Sequence, residues 1–227
     1  QSALNMRIDA YYQFADLRKV APWLYEYWKH SFVDKVEAST RARAPLFALC
    51  LAEHDKLAAK AGATAQLRHG GWIKIFSKDK SLAEEVVRSQ EMEAFGVRSE
   101  VLDRAALAAM EPHLTGDLVG GVHWRDPYSL AEPLALSLAY EKLFEAQGGR
   151  FLQGDARSLR QEPDGWSVET NDGRISARDC LVTLGPWAID VTGPLGYRMP
   201  LGVKRGYHMH YRPKGNAMLN LPVLDGD

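Results

Sequence analysis

The sequence predicts an α+β fold, an antiparallel sheet flanked by helices, and three observations carry that expectation. Apolar residues recur at helical spacing through the long stretch from Ala21 to Gly62. The run from His69 to Phe76 alternates with period two, as a half-buried strand does. From Arg150 onward, short strand-like runs are separated by Pro163-Asp164-Gly165 and Asn171-Asp172-Gly173, residue types that close hairpins.

Taken in order, the pattern predicts a helix near Pro22 to Trp28 and a longer one from about Asp34 to Lys60, closed by Gly62. Pro45 should kink or divide the longer helix, because proline lacks the amide donor and clashes with the preceding turn. A strand over His69 to Phe76 follows, then a helix from Ser81 to Phe95 ended by Gly96, and a short strand from Val97 to Leu102. Asp103 is placed to cap a helix that runs to Met110 and stops before Pro112. A strand through Val122 and Trp124 and a turn at Asp126-Pro127 lead to an Ala- and Leu-rich helix, Ala131 to Ala146, stopped by Gly148-Gly149. Strands are then expected at 150–152, 157–161, 166–170, 174–176 and 179–184, and a last one over Lys204 to Arg212.

Composition narrows the function classes. The chain is 46% hydrophobic and 25% charged, ordinary for a globular protein, so disorder is not expected. Its 28 basic and 29 acidic residues give a formal charge of -1, which supplies no global field to gather nucleic acid or anionic lipid. Small molecules or other proteins are the expected partners. The longest apolar run, Ala131 to Ala146, is interrupted by Glu132, Glu141 and Lys142 and falls short of the roughly 20 residues a membrane helix needs. No signal peptide pattern opens the chain, so a soluble, cytoplasmic protein is expected. It begins Gln1-Ser2-Ala3 and reads as cut from a longer protein. Cys50 and Cys180 are expected as two reduced, buried thiols.

Other chemistries find little support in the residues. His208 and His210 share a strand face, but no third or fourth ligand is evident, so no metal site is expected. The aromatic group Tyr11, Tyr12, Trp23, Tyr25, Tyr27 and Trp28 has too few interleaved cations for base stacking, and helix packing or a contact between subunits of a homo-oligomer suits it better. Glu84-Glu85 and Glu91-Glu93 read as a solvated helix face. No Gly-x-Ser-x-Gly or Cys-His arrangement points to a hydrolase.

Five segments in order carry a family resemblance. They are Arg68-His69-Gly70-Gly71-Trp72-Ile73-Lys74, Leu107 to Met110-Glu111-Pro112, Asp126 to Pro133 with the helix after it, Cys180-Leu181-Val182-Thr183-Leu184-Gly185-Pro186-Trp187-Ala188, and Pro200 to His208 with Lys204-Arg205-Gly206-Tyr207-His208. Together they resemble the middle of the D-amino-acid oxidase and dehydrogenase superfamily of FAD-dependent oxidoreductases. The resemblance implies a first part of the substrate domain over 1–125, a partial, Rossmann-like FAD-binding unit with a β-meander over 126–198, and a substrate-domain return strand over 199–227. It also implies that Ala156, Gly185, Pro186 and Trp187 meet the ADP half of FAD. A glycine after a strand end fits that role, since it removes the Cβ that would block a dinucleotide. The plain alternative is a strand-to-helix turn with a packed Trp.

For the substrate pocket the resemblance implies Arg205, Tyr207 and His208, with Trp72 as a wall. Arg205 could face a substrate carboxylate, and Tyr207 and His208 could make polar contacts. The substrate class implied is an amine or amino acid. The family's Gly-x-Gly-x-x-Gly turn, which holds the pyrophosphate, does not occur in this sequence. The segment is therefore expected to hold FAD weakly or not at all and to be inactive alone. A non-catalytic binding domain is the alternative expectation.

Overall fold

The computed structural model describes residues 14–199, 201 and 206–227. The chain forms two compact units, Gln1–Arg43 with Leu152–Tyr207 and Ala44–Phe151 with His208–Asp227.

The second unit is built on a four-stranded sheet in the order β3-β4-β2-β9, with β2 at Trp72–Phe76, β3 at Ser99–Asp103, β4 at Gly120–Trp124 and β9 at Val223–Asp225. β4 pairs antiparallel with both neighbours, aligning Ile73 with His123 and Leu102 with Gly121, whereas β9 lies parallel to β2. Gly70-Gly71 interrupts the alternating run seen in the sequence. A separate two-residue strand, β1 at Leu67–Arg68, therefore pairs with β5 at Ser129–Leu130. Period two puts Ile73 and Leu102 on one face, where α4 (Arg104–Met110) delivers Leu107, and the three are buried together. Burying Ile73 completely contributes about 1.5 to 3 kcal/mol.

The opposite sheet face takes α3, Asp79–Glu93. Glu84, Glu91 and Glu93 are solvated as expected, but Glu85 is not: it is buried and accepts from Lys74 Nζ on β2 at 2.7 Å. Lys74 points from the sheet toward α3, and a buried carboxylate needs such a partner. Asp103 caps α4 as its position implied, accepting from the backbone N–H of Ala106 at 2.7 Å. Arg98 donates its backbone N–H and Nε to Asp126 at 2.6 and 2.7 Å, tying the start of β3 to the turn after β4. Burial pushes the Asp126 carboxyl up, but these bonds outweigh it and hold the group below its ordinary value.

Helix α2, Val33–Lys60, runs into this unit unbroken through Pro45, so proline does not divide it. The flanking Leu46 and Phe47 are exposed, and water can reach the Arg41 carbonyl left without its amide. The last turns of α2 pack Ala58 against Leu67 and against Leu136 of α5, Pro133–Ala146. Tyrosines from two elements grip the α2 end, Tyr128 donating to Asp55 at 3.1 Å and the Tyr140 hydroxyl lying 3.0 Å from His54 Nδ1.

The β9 end is held by Asp227, which accepts from the Ser77 hydroxyl and from the Ser77 backbone N–H. Those bonds, the hydroxyl first, lower its carboxyl from 3.8 to about 2. Because the folded value is depressed, the contribution is complete above pH 3.8 and is lost as pH falls through about 2. In an NMR titration the Asp227 carboxyl is expected to protonate near pH 2, and Ser77→Ala to move it back toward 3.8. A wild-type value at 3.8 would remove this tie.

The first unit contains α1 (Phe14–Lys29), which continues through Pro22, and a meander of β6 (Arg160–Glu162), β7 (Gly165–Thr170) and β8 (Gly173–Ala177) in antiparallel order. The two turns anticipated from Pro163-Asp164-Gly165 and Asn171-Asp172-Gly173 close its hairpins. Two expected strands are absent among the described residues. Residues 150–152 and 179–184 form no ladder, and Leu181 is 86% exposed. A strand is made by its neighbour's hydrogen bonds, and neither run has a paired edge here. Cys180 is consequently exposed, as is Cys50 on α2; both thiols are free, but neither is buried as expected. The run over 206–212 is likewise without strand pairing, while 202–205 lie outside the described residues.

Candidate functional site

Two turns of the first unit are connected through the short helix α6, Ala188–Thr192. The earlier one is a 3-10 turn, Ala156–Ser158, reached from the isolated bridge between Gly154 and Thr170. Asp155 caps it, accepting from the Arg157 N–H at 3.0 Å. Ser158 Oγ donates to the Asp155 carbonyl at 2.6 Å and accepts from the Glu169 N–H at 2.9 Å, so the turn is fastened to β7. The later turn, Gly185–Trp187, opens the short helix α6, Ala188–Thr192. α6 buries Ala188 and Val191 and packs against the 156–158 turn. The Gly185-Pro186-Trp187 candidates thus lead directly into the helix that packs on the turn carrying Ala156.

The geometry suits approach by a ligand. Gly185 has φ +55°, and a Cβ placed on it would meet no atom within 4 Å. Space in front of this backbone is open. Trp187 is 68% exposed, unlike the packed Trp of a purely structural turn. Ala156 itself is half-buried.

The substrate-side candidates each stand in their own surroundings. Trp72 is half-buried on β2 and stacks on Trp124, its cross-strand partner, with ring centroids 6.0 Å apart. Tyr207 is 89% exposed, His208 is exposed and meets His210 edge-on at 5.2 Å, and Arg205 lies outside the described residues. No group of three His, Cys, Asp or Glu fit for a metal ion occurs among the described residues. Nor is any described helix long and apolar enough to cross a membrane.

Sequence reasoning passed over His123. It is buried on β4 and its Nε2 lies 2.6 Å from the Gly70 carbonyl, while its Nδ1 is buried without a partner. It fixes the Gly70-Gly71 corner. Only the histidine's place in an otherwise apolar strand could have signalled this.

Among the described residues the chain is a mixed α/β fold with several sheets. It matches the crystal structure of glycine oxidase from Geobacillus kaustophilus with a TM-score of 0.57 at 20% identity, over 66% of this chain and 40% of that one. The family described as DAO, FAD dependent oxidoreductase, matches residues 14–227, and the chain belongs to it. Among curated relatives, a D-amino acid dehydrogenase from Azorhizobium caulinodans is 28% identical over 75% of this chain and 39% of its own length. One from Cereibacter sphaeroides is 28% identical over 99% of this chain and 48% of its own length. The chain spans less than half the length of these relatives.

Proposed function

We propose that the chain is the substrate-side unit and part of the flavin scaffold of an oxidoreductase acting on an amine or amino acid. The observation that supports this most is the packing of α6, which opens directly after the Gly185 turn, on the turn carrying Ala156, within a family match that covers nearly the whole chain. Ala156 and Gly185-Pro186-Trp187 would hold the ADP half of FAD through turn backbone. When bound, FAD supplies the acceptor for hydride leaving the substrate α-carbon. Loss of that hydride together with a proton from the amine nitrogen would leave an imine, which water would hydrolyse. The chain's own part is binding and orientation, in keeping with the lack of an acid/base pair among its candidates. Alone it is expected to be inactive.

The test is the absorbance spectrum and amine-dye reductase activity of the whole gene product with a panel of D- and L-amino acids. A flavin band bleached by one substrate class is expected. A colourless product that FAD cannot reconstitute would overturn the proposal.

One observation favours a second reading, a non-catalytic interaction domain. Tyr25, Tyr27, Trp28 and Phe32 are all exposed on and after α1, and exposed aromatic side chains close together suit a docking face. Size-exclusion with light scattering separates the readings in part, since a strict monomer counts against docking through this face.

A further inference from the structure

Gly70 and Gly71, the corner that leads into β2, both have positive φ, +117° and +76°. Glycine reaches such angles freely, but it reaches many others as freely, so a corner of two glycines does not hold its own shape. It must be held from outside. Ile73, further along β2, turns its backbone N–H to the Pro222 carbonyl at 2.9 Å, toward β9 and away from β4. The corner carbonyl is instead held by a side chain of β4: His123 Nε2 lies 2.6 Å from the Gly70 oxygen. A carbonyl only accepts, so Nε2 carries the proton and donates. Nδ1 is then a bare lone pair, buried with no partner among the described residues, and the ring contributes a single donor.

Trp72 follows the corner directly. It pairs with Trp124 on β4, and the two rings stack with centroids 6.0 Å apart and planes 23° from parallel. His123 pairs with Ile73 and so projects from the opposite sheet face. Its hold on Trp72 therefore runs through the backbone of the corner and not through a ring contact.

We infer that His123 is a positioning residue: its Nε2–H pins the Gly70 carbonyl and thereby sets the Trp72 ring on Trp124. Rotating that carbonyl out of reach would turn the Gly70–Gly71 peptide and, one residue on, the direction in which Trp72 leaves the backbone. Trp124 is buried and paired on both sides, with Trp72 and with Ser99, so Trp72 is the member of the stack that is free to shift. On the flavin reading above, with Trp72 as a pocket wall, His123 serves substrate binding from the sheet face opposite that wall. This purpose rests on the flavin reading; the tie between His123 and the corner does not.

The tie is tested on the chain itself, by NMR of the His123 ring nitrogens and by ultraviolet circular dichroism. Two indole rings this close couple their transitions and give a paired dichroism band, which Trp72→Phe identifies by difference. In wild type the proton is expected on Nε2, with Nδ1 bare. In His123→Phe, which keeps a ring and removes the donor, the band should fall by about half or more, because stacking depends on ring offset and tilt. His123→Gln, whose amide N–H offers the donor again, should restore most of it. A proton on Nδ1 alone, an unchanged band in His123→Phe, or no recovery with glutamine would each overturn the inference. Should the phenylalanine variant not fold, the wild-type tautomer and the glutamine variant still decide it. The pocket role is read on the whole gene product with the panel of D- and L-amino acids. For an acid that bleaches the flavin, His123→Phe should raise KM about two- to ten-fold, the scale of one aromatic contact, with kcat little changed. An unchanged KM overturns the pocket role and leaves the tie standing. A product without a flavin band counts against the flavin reading, again separately from the tie.

Discussion

Gly71→Ala is expected to destabilise the second unit by more than about 4 kcal/mol, enough to leave little of it folded. A Cβ at this position would lie 1.7 Å from the Trp124 carbonyl oxygen and 2.8 Å from its carbon. Both are backbone atoms, so no rotamer change can relieve the clash. Gly71 also has φ +76°, where a side chain is strained even in open space. Relief requires β2 and β4 to separate at Trp72 and Trp124, their first pair, and that would pull Gly70 from His123 as well. Gly62→Ala is the control. Its φ is +65° and its Cβ would meet nothing within 4 Å, so only the conformational cost of about 1 to 2 kcal/mol remains. Urea unfolding followed by circular dichroism measures both. Equal losses in the two variants would mean that the close approach of the strands contributes nothing.

The contrast between these glycines shows what a sequence can and cannot disclose. Local rules placed β2, α5 and the meander turns, because alternation, alanine-rich helix spacing and Asp-Gly chemistry act over a few neighbours. They failed where a partner decides the outcome. Residues 179–184 have the apolar content of a strand and no edge to pair with, and Glu85 reads as solvent-facing until Lys74 is placed opposite it. The same division runs through the site. Gly185 was legible as a turn glycine, and the likeness to a family suggested its ligand, but only the fold packs the helix that follows it on the Ala156 turn. The role of His123 was not legible at all, since it depends on a contact across distant segments.

Glu111 is the second position where a large effect is expected, and for the opposite reason to Gly71: here a group must be present. Its carboxylate is fully buried and accepts two backbone amides, from Asn220 at 2.9 Å and Leu221 at 2.7 Å. Asn220 Nδ2 returns a bond to the Met110 carbonyl at 2.8 Å. These bonds deliver Pro222, whose carbonyl accepts from Ile73, and so place β9 on β2. Glu111→Ala would leave two part-buried N–H donors without their acceptor, each costing up to about 1 to 3 kcal/mol, and open a cavity where the buried side chain lay. Glu111→Gln keeps one acceptor and turns an amide N–H toward the other donor, so it should cost about 1 to 3 kcal/mol. The expected order of loss is alanine above glutamine above wild type, with exchange of the Gly226 amide, bonded to the Ile75 carbonyl, rising before that of β4. Were β4 and Gly226 to open together in both variants, Glu111 would be supporting the whole sheet and not the seating of its parallel edge strand.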